Sequence, residues 1–148
     1  MDFALGRITR PHEDVDWFVL SAGLDRFTDA LWAQGWWDVG TAPKEQQRDL
    51  RLGDVELGIA GVDVDHEGRP VVGGGPWRGS PLPAEMLTAA RRCVLAGVTA
   101  VVIAPSAQIE IKRMMPEWVP GMRRRPKDLE DITQLEALLA AEHNRAMP

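Results

Sequence analysis

Asp14-Val15-Asp16 sets two carboxylates two residues apart at the start of an aromatic and β-branched run, Trp17-Phe18-Val19-Leu20, which suits a buried strand. Side chains on a strand alternate between faces. Asp14 and Asp16 therefore share one face, and Val15, Trp17 and Val19 share the other. Two rises of roughly 3.3 Å put the two aspartate Cα atoms about 7 Å apart. Carboxylates that close repel each other unless a cation lies between them. A hard divalent ion with oxygen ligands is the natural candidate, and Mg²⁺ typically takes one or two carboxylates plus substrate phosphates. Upstream, Gly6 to His12 reads as a polar turn, in which Pro11 bars Arg10 from helical geometry.

The elements around this strand can be read in order. Leu24, Phe27 and Leu31 recur at helical spacing, with Ser21 as N-cap and Gly35 closing the helix. Trp36, Trp37 and Val39 form a short strand or turn. A hairpin follows: a strand from Arg48 to Leu52, a turn at Gly53-Asp54, a strand from Asp54 to Asp65, and Val71-Val72 after a second turn. Glu56 lies between apolar neighbours in that long strand, where a buried carboxylate is costly unless paired or metal-bound. Its alternative is the solvent face of the hairpin. Asp54 is the second choice, with Asp63 and Asp65 behind it. Gly73-Gly74-Gly75 reads as a flexible loop. Leu82 to Val94 is expected to be a helix with an apolar face of Met86, Leu87, Ala90 and Val94. Val98 to Ala104 is expected to be an interior strand. A helix through Gln108 to Met115 and a last helix striped by Leu129, Ile132, Leu135, Leu138 and Leu139 complete the chain. Strands alternating with helices, plus a hairpin, indicate an α/β (α+β) fold with a mixed sheet.

Leu5-Gly6-Arg7-x-Thr9-Arg10-x-His12-x-Asp14-x-Asp16 resembles the metal-binding segment of the antibiotic nucleotidyltransferases. These are the aminoglycoside and lincosamide adenylyltransferases of the polymerase-β-like superfamily. A second segment, Arg125-x-Lys127-Asp128-x-x-Asp131-Ile132, also matches, in the family's order. The resemblance implies a nucleotidyltransferase-like mixed sheet with helices on its faces. It implies two Mg²⁺ ions held by Asp14, Asp16 and a third acid, for which Glu56 is the best positional match and a candidate general base. It places Arg10, His12, Lys112, Arg125 and Lys127 as candidates for binding nucleotide or substrate. The reaction implied is transfer of a nucleoside monophosphate from a triphosphate, ATP first, to a hydroxyl of an aminoglycoside or lincosamide. Relatives carry a Gly-Gly or Gly-Ser pair before this point to cradle the triphosphate. No such pair precedes Gly6, and residues 73–75 do not replace it by order. Two other readings compete. One is a minimal nucleotidyltransferase acting on a protein or RNA partner, as in toxin–antitoxin pairs. The other is a degenerate, non-catalytic binding or dimerisation module.

The composition limits the classes. A chain of 148 residues, 45% hydrophobic and 26% charged, is expected to be one domain with its own core. A net charge of −5 gives no global attraction for nucleic acid or anionic membrane, and suits a cationic acceptor. One cysteine, Cys93, cannot form an internal disulfide, so a reducing cytoplasm is the expected setting. No stretch approaches the length of a membrane span. A lone lysine such as Lys112 is ordinarily solvated, and Asp128 and Asp131 near a helix start are favoured by its dipole. A homodimer is one expected oligomeric state.

Overall fold

The computed structural model describes residues 1–12, 14–119 and 121–146. They fall into two compact units, one of Pro11–Leu82 and one of Met1–Arg10 with Pro83–Pro148. Across both the fold is α+β, as the alternation of patterns predicts.

The unit Pro11–Leu82 is a mixed sheet with one long helix. Strand β1 (Asp14–Leu20) lies parallel to β4 (Val55–Val64), while β3 (Gln47–Leu52) runs antiparallel along the other side of β4. The two-residue β2 (Trp37–Asp38) pairs with β3, and β5 (Pro70–Val72) pairs with the end of β4. Parallel neighbours need a crossover. Here α2 (Ser21–Trp32) begins it, starting directly where β1 ends. Its first helical residue is Ser21 itself, so Ser21 is not the N-cap. The hydroxyl instead donates to the Val62 carbonyl at 3.3 Å. Leu24 on α2 meets Leu50, Leu57 and Ile59 from the sheet, with Val19, Phe27, Leu31 and Trp36 around them. Burying each such aliphatic side chain is worth about 1.5–3 kcal/mol. That core fixes which face of the sheet is inward. Trp17 is half-exposed at the margin of this core, where its ring stacks on Phe27.

The β4–β5 connection is closed by Asp65, which accepts hydrogen bonds from the backbone N–H groups of Glu67 and Arg69 and from Arg69 Nε. The Arg69 backbone bond is the largest influence holding this carboxyl below its ordinary range. The glycines at 73–75 are not a loose loop. Gly73 and Gly74 are buried. A Cβ on Gly73 would lie 1.7 Å from Ser21 Oγ, and one on Gly74 would lie 1.9 Å from the Glu45 carbonyl oxygen. Close backbone approach, not flexibility, demands glycine there.

In the second unit, α1 (Asp2–Leu5) is a single turn closed by Gly6 in the left-handed region, φ 67°. The Asp2 carboxylate accepts from Thr9 N–H and from Thr9 Oγ at 2.7 Å, which ties the following turn down. The helix expected over Leu82 to Val94 is not formed. Only α3 (Glu85–Thr88) is helical, and Arg91–Leu95 is a strand, β6. It pairs antiparallel with β7 (Val98–Val102) through the two-residue turn Ala96-Gly97. Both turn residues have positive φ, 48° and 80°, the geometry of tight hairpins. β7 is correspondingly no interior strand, since Val98 and Val101 are exposed. Helices α4 (Pro105–Trp118) and α5 (Pro126–Ala146) pack together through Ile109, Ile132 and Leu135. Leu129 lies off that stripe and is exposed. No helix among the described residues is long and apolar enough to cross a membrane.

Gly73→Ala is expected to lower unfolding stability by about 1–3 kcal/mol, the usual cost of overpacking. Urea denaturation followed by tryptophan fluorescence measures it, and an alanine variant as stable as the parent would contradict the close approach.

Candidate functional site

The site is built by strand register. In the β1–β4 pair Asp14 lies opposite Glu56, and Asp16 lies opposite Gly58. In the β3–β4 pair Arg51 lies opposite Glu56, and Asp49 opposite Gly58. Residues directly opposite one another share a face. Two rows therefore cross the three strands, Asp14–Glu56–Arg51 and Asp16–Gly58–Asp49. Leu50, Leu57 and Ile59 alternate with them and point into the core. The polar face is thus the one opposite α2.

Gly58 leaves space between two carboxylates. A Cβ there would sit 2.8 Å from Asp16 Oδ1 and 3.7 Å from Asp49 Oδ1. Asp49 also accepts from Gln47 Nε2 at 2.6 Å. Beside this row an open depression of about 440 Å³ is lined by Asp14, Arg51, Gly53, Asp54 and Glu56. Of the two sequence readings of Glu56, buried acid or solvent face of the hairpin, the second is the one observed: Glu56 is half-exposed and ion-paired with Arg51. Asp54, the second choice for the third acid, lines the same depression. Asp63 borders a different one, behind the N-terminal end of α2, and Asp65 is used in its turn.

The carboxylate oxygens of this face fit a hard divalent cation by donor type, and glycine at 58 keeps room beside Asp16 and Asp49. Among the described residues, however, no three His, Cys, Asp or Glu side chains converge closely enough to hold a metal as they stand. Glu56 is held by a guanidinium instead.

Asp49 had not been singled out from sequence. Its signal is the alternation Asp49, Arg51 against Leu50, Leu52, but its role needs the pairing with Gly58, which no local pattern reveals. Arg51 was legible in principle. A two-residue turn at Gly53-Asp54 sets Leu52 opposite Val55 and hence Arg51 opposite Glu56.

Of the five candidates for nucleotide or substrate binding, His12 belongs to the sheet unit and is exposed. Arg10, Lys112, Arg125 and Lys127 belong to the other unit, where three of them surround two buried acids. Asp131 is 2% exposed and Asp128 4%. Arg10 and Lys112 reach Asp131 Oδ2 at 2.7 and 2.8 Å, and Lys112 Nζ lies 3.6 Å from Asp128. Arg125 clasps Asp128 with Nε and Nη2 at 2.7 and 2.9 Å. Lys112 is therefore no solvated surface lysine. Lys127 is exposed on the first turn of α5. Burial alone would push the Asp128 carboxyl up, but the hydrogen bonds and charge of Arg125, with Lys112, outweigh it and hold it below its ordinary value of 3.8.

No family model matches the chain, and no curated protein matches it. Solved structures do. The lincomycin-bound crystal structure of the lincosamide antibiotic adenylyltransferase LnuA superposes with a TM-score of 0.67 at 14% identity, covering 93% of this chain and 80% of that one. The fold is that of the antibiotic adenylyltransferases. The solution structure of the antibiotic-resistance factor ANT(2″)-Ia agrees, with a TM-score of 0.66 at 19% identity over 98% of this chain and 78% of that one. So does its crystal structure in complex with adenylyl-2″-tobramycin, at TM-score 0.66 and 19% identity over 98% and 83%. The adenylyltransferase fold matches the mixed sheet and flanking helices expected from the two motif segments.

Asp128 gives a pH prediction. Its folded carboxyl is more acidic than the unfolded one, so the unfolded chain takes up the proton first as pH falls. The stabilisation is complete well above 3.8 and is lost as pH drops through that value toward the lower folded one. Asp128→Asn is expected to cost about 1–3 kcal/mol at pH 7, less than breaking a fully buried pair because Arg125 is nearly half exposed. It should also flatten stability below pH 4. Denaturation curves at pH 7 and pH 3 decide this, and an unchanged acid slope would contradict it.

Proposed function

We propose that the chain is a Mg²⁺-dependent nucleotidyltransferase that transfers a nucleoside monophosphate, from ATP in the first instance, to a hydroxyl of a small molecule such as an aminoglycoside or lincosamide. The observation that carries the reading is the shared face of Asp14, Asp16, Asp49 and Glu56 on three adjacent strands. Residues 1–148 act as one nucleotidyltransferase-like domain in this reading.

Asp14 and Asp16 would hold the cation, with the third acid drawn from Glu56 or Asp49. The cation, when bound, neutralises charge on the phosphates and favours attack by the acceptor hydroxyl. Glu56 is the acid to take the proton from that hydroxyl. It can do so only when released from Arg51, because a carboxylate paired with guanidinium is a poor proton acceptor. Asp54, on the rim of the same depression, is the alternative. The polyphosphate needs cations. Arg10, His12, Lys112, Arg125 and Lys127 are the candidates, and Lys127 offers its charge without first leaving Asp128 or Asp131. The acidic face and a net charge of −5 attract a cationic acceptor. A reducing cytoplasm suits the single unpaired cysteine, and a homodimer is compatible with the chain.

One observation favours a second reading, a non-catalytic binding or dimerisation module. Glu56 is paired with Arg51, and no three acids converge among the described residues.

Incubation with Mg²⁺, ATP labelled at the α-phosphate and a panel of aminoglycosides and lincosamides separates the two. Labelled acceptor is expected from the wild type. Asp14→Ala and Asp16→Ala should lower its yield by about 100-fold or more, as loss of several kcal/mol of metal-assisted stabilisation requires. Equal transfer in the variants would remove the proposed cation site, and no transfer by the wild type to any acceptor would favour the second reading.

A further inference from the structure

Arg51 lines the depression beside Asp14, together with Asp54 and Glu56. Its position is set by the tight turn at Gly53-Asp54, which brings it opposite Glu56 on the ladder, while Asp14 faces Glu56 from the other side. Glu56 thus has a carboxylate neighbour on one strand and a guanidinium on the other. Without a cation on the face, Asp14, Asp16, Asp49, Asp54 and Glu56 would concentrate negative charge, and Arg51 offsets it locally. A planar guanidinium also satisfies a carboxylate with directed hydrogen bonds, as a divalent ion does by coordination. Both side chains are nearly half exposed, at 43% for Arg51 and 46% for Glu56, so the pair is weak enough to exchange.

We propose that Arg51 is a built-in counter-ion of the acid face, which holds Glu56 back from a divalent cation until that cation displaces its guanidinium. This rests on the cation reading given above and adds its regulation. The sheet face has two states. In one, Glu56 is paired with Arg51 and the face is partly neutralised. In the other, Glu56 turns to the cation and Arg51 is released. Cation affinity is set below what the acids alone would give, because binding must first break the pair.

The test is Mn²⁺ titration, with free Mn²⁺ read by electron paramagnetic resonance, on the full chain. Arg51→Gln is expected to bind Mn²⁺ about two- to fivefold more tightly than wild type, the factor corresponding to an exposed ion pair. Arg51→Lys, which keeps the charge, should stay nearer to wild type. Arg51→Met keeps the aliphatic stem and serves if Arg51→Gln melts early. In a Glu56→Gln background the gain should vanish. No gain in Arg51→Gln or Arg51→Met would overturn the proposal while leaving the cation reading intact. An equal gain in the Glu56→Gln background would also overturn it, since the effect would then be general charge repulsion. Absence of Mn²⁺ binding in every variant would remove the cation reading and the proposal together.

Discussion

The parallel register of β1 on β4 is the constraint on which the candidate site depends. Side chains along a strand alternate, so a slip of one residue would turn Asp14 and Asp16 toward the core side and Val19 away from the core it packs against. The core prevents that slip. Leu50, Leu57 and Ile59 must meet Leu24 of α2, and their burial leaves the alternate positions, Asp14, Asp16, Glu56 and Asp49 among them, for solvent. The acids are therefore placed by apolar packing on the reverse side of the same strands. Chemistry on one face is bought by hydrophobic burial on the other.

A second electrostatic solution operates in the other unit. Asp128 and Asp131 are buried at the start of α5, where desolvation alone would disfavour their charge. Arg10, Lys112 and Arg125 satisfy them directly. This is why the segment Lys127-Asp128-x-x-Asp131-Ile132 carries acids at positions that helical spacing would otherwise give to leucine. Asp128 and Asp131 share the inward side with Ile132 and Leu135, and Leu129 is displaced to solvent. A motif that reads as substrate-binding cations is also a buried charge network that joins the turn after α1 to α4 and α5. A phosphate bound by Arg10, Lys112 or Arg125 would have to share them with those aspartates.

Much of this was legible because it is periodic. The alternation after Asp14 and the turn at Gly53-Asp54 gave β1, β3 and β4 and the shared face of the two aspartates. The residue spacing of α2 and α5 gave their core stripes, Leu129 excepted, and located α4. What failed did so for local reasons. Met86, Leu87, Ala90 and Val94 fit a helical stripe, yet the Ala96-Gly97 turn recruits Arg91–Leu95 into a hairpin. A positive-φ pair outweighs a weak apolar spacing. Gly73 and Gly74 carried no sign that the backbone presses on Ser21 and Glu45. Asp49 was overlooked because it becomes informative only when Gly58 is known to lie between it and Asp16. Glu56 had two readings, a buried acid in need of a partner or a residue on the solvent face of the hairpin, and the tight turn at Gly53-Asp54 settles it by setting the half-exposed Glu56 opposite Arg51.

The most direct measurement is a crystal soaked in Mn²⁺ with data collected for anomalous scattering. The account predicts a peak on the solvent face of the sheet, within coordination distance of Asp14 or Asp16 and above the gap left by Gly58, with Glu56 turned from Arg51. A crystal that takes up Mn²⁺ only elsewhere, with Asp14 and Asp16 uncoordinated, would contradict it.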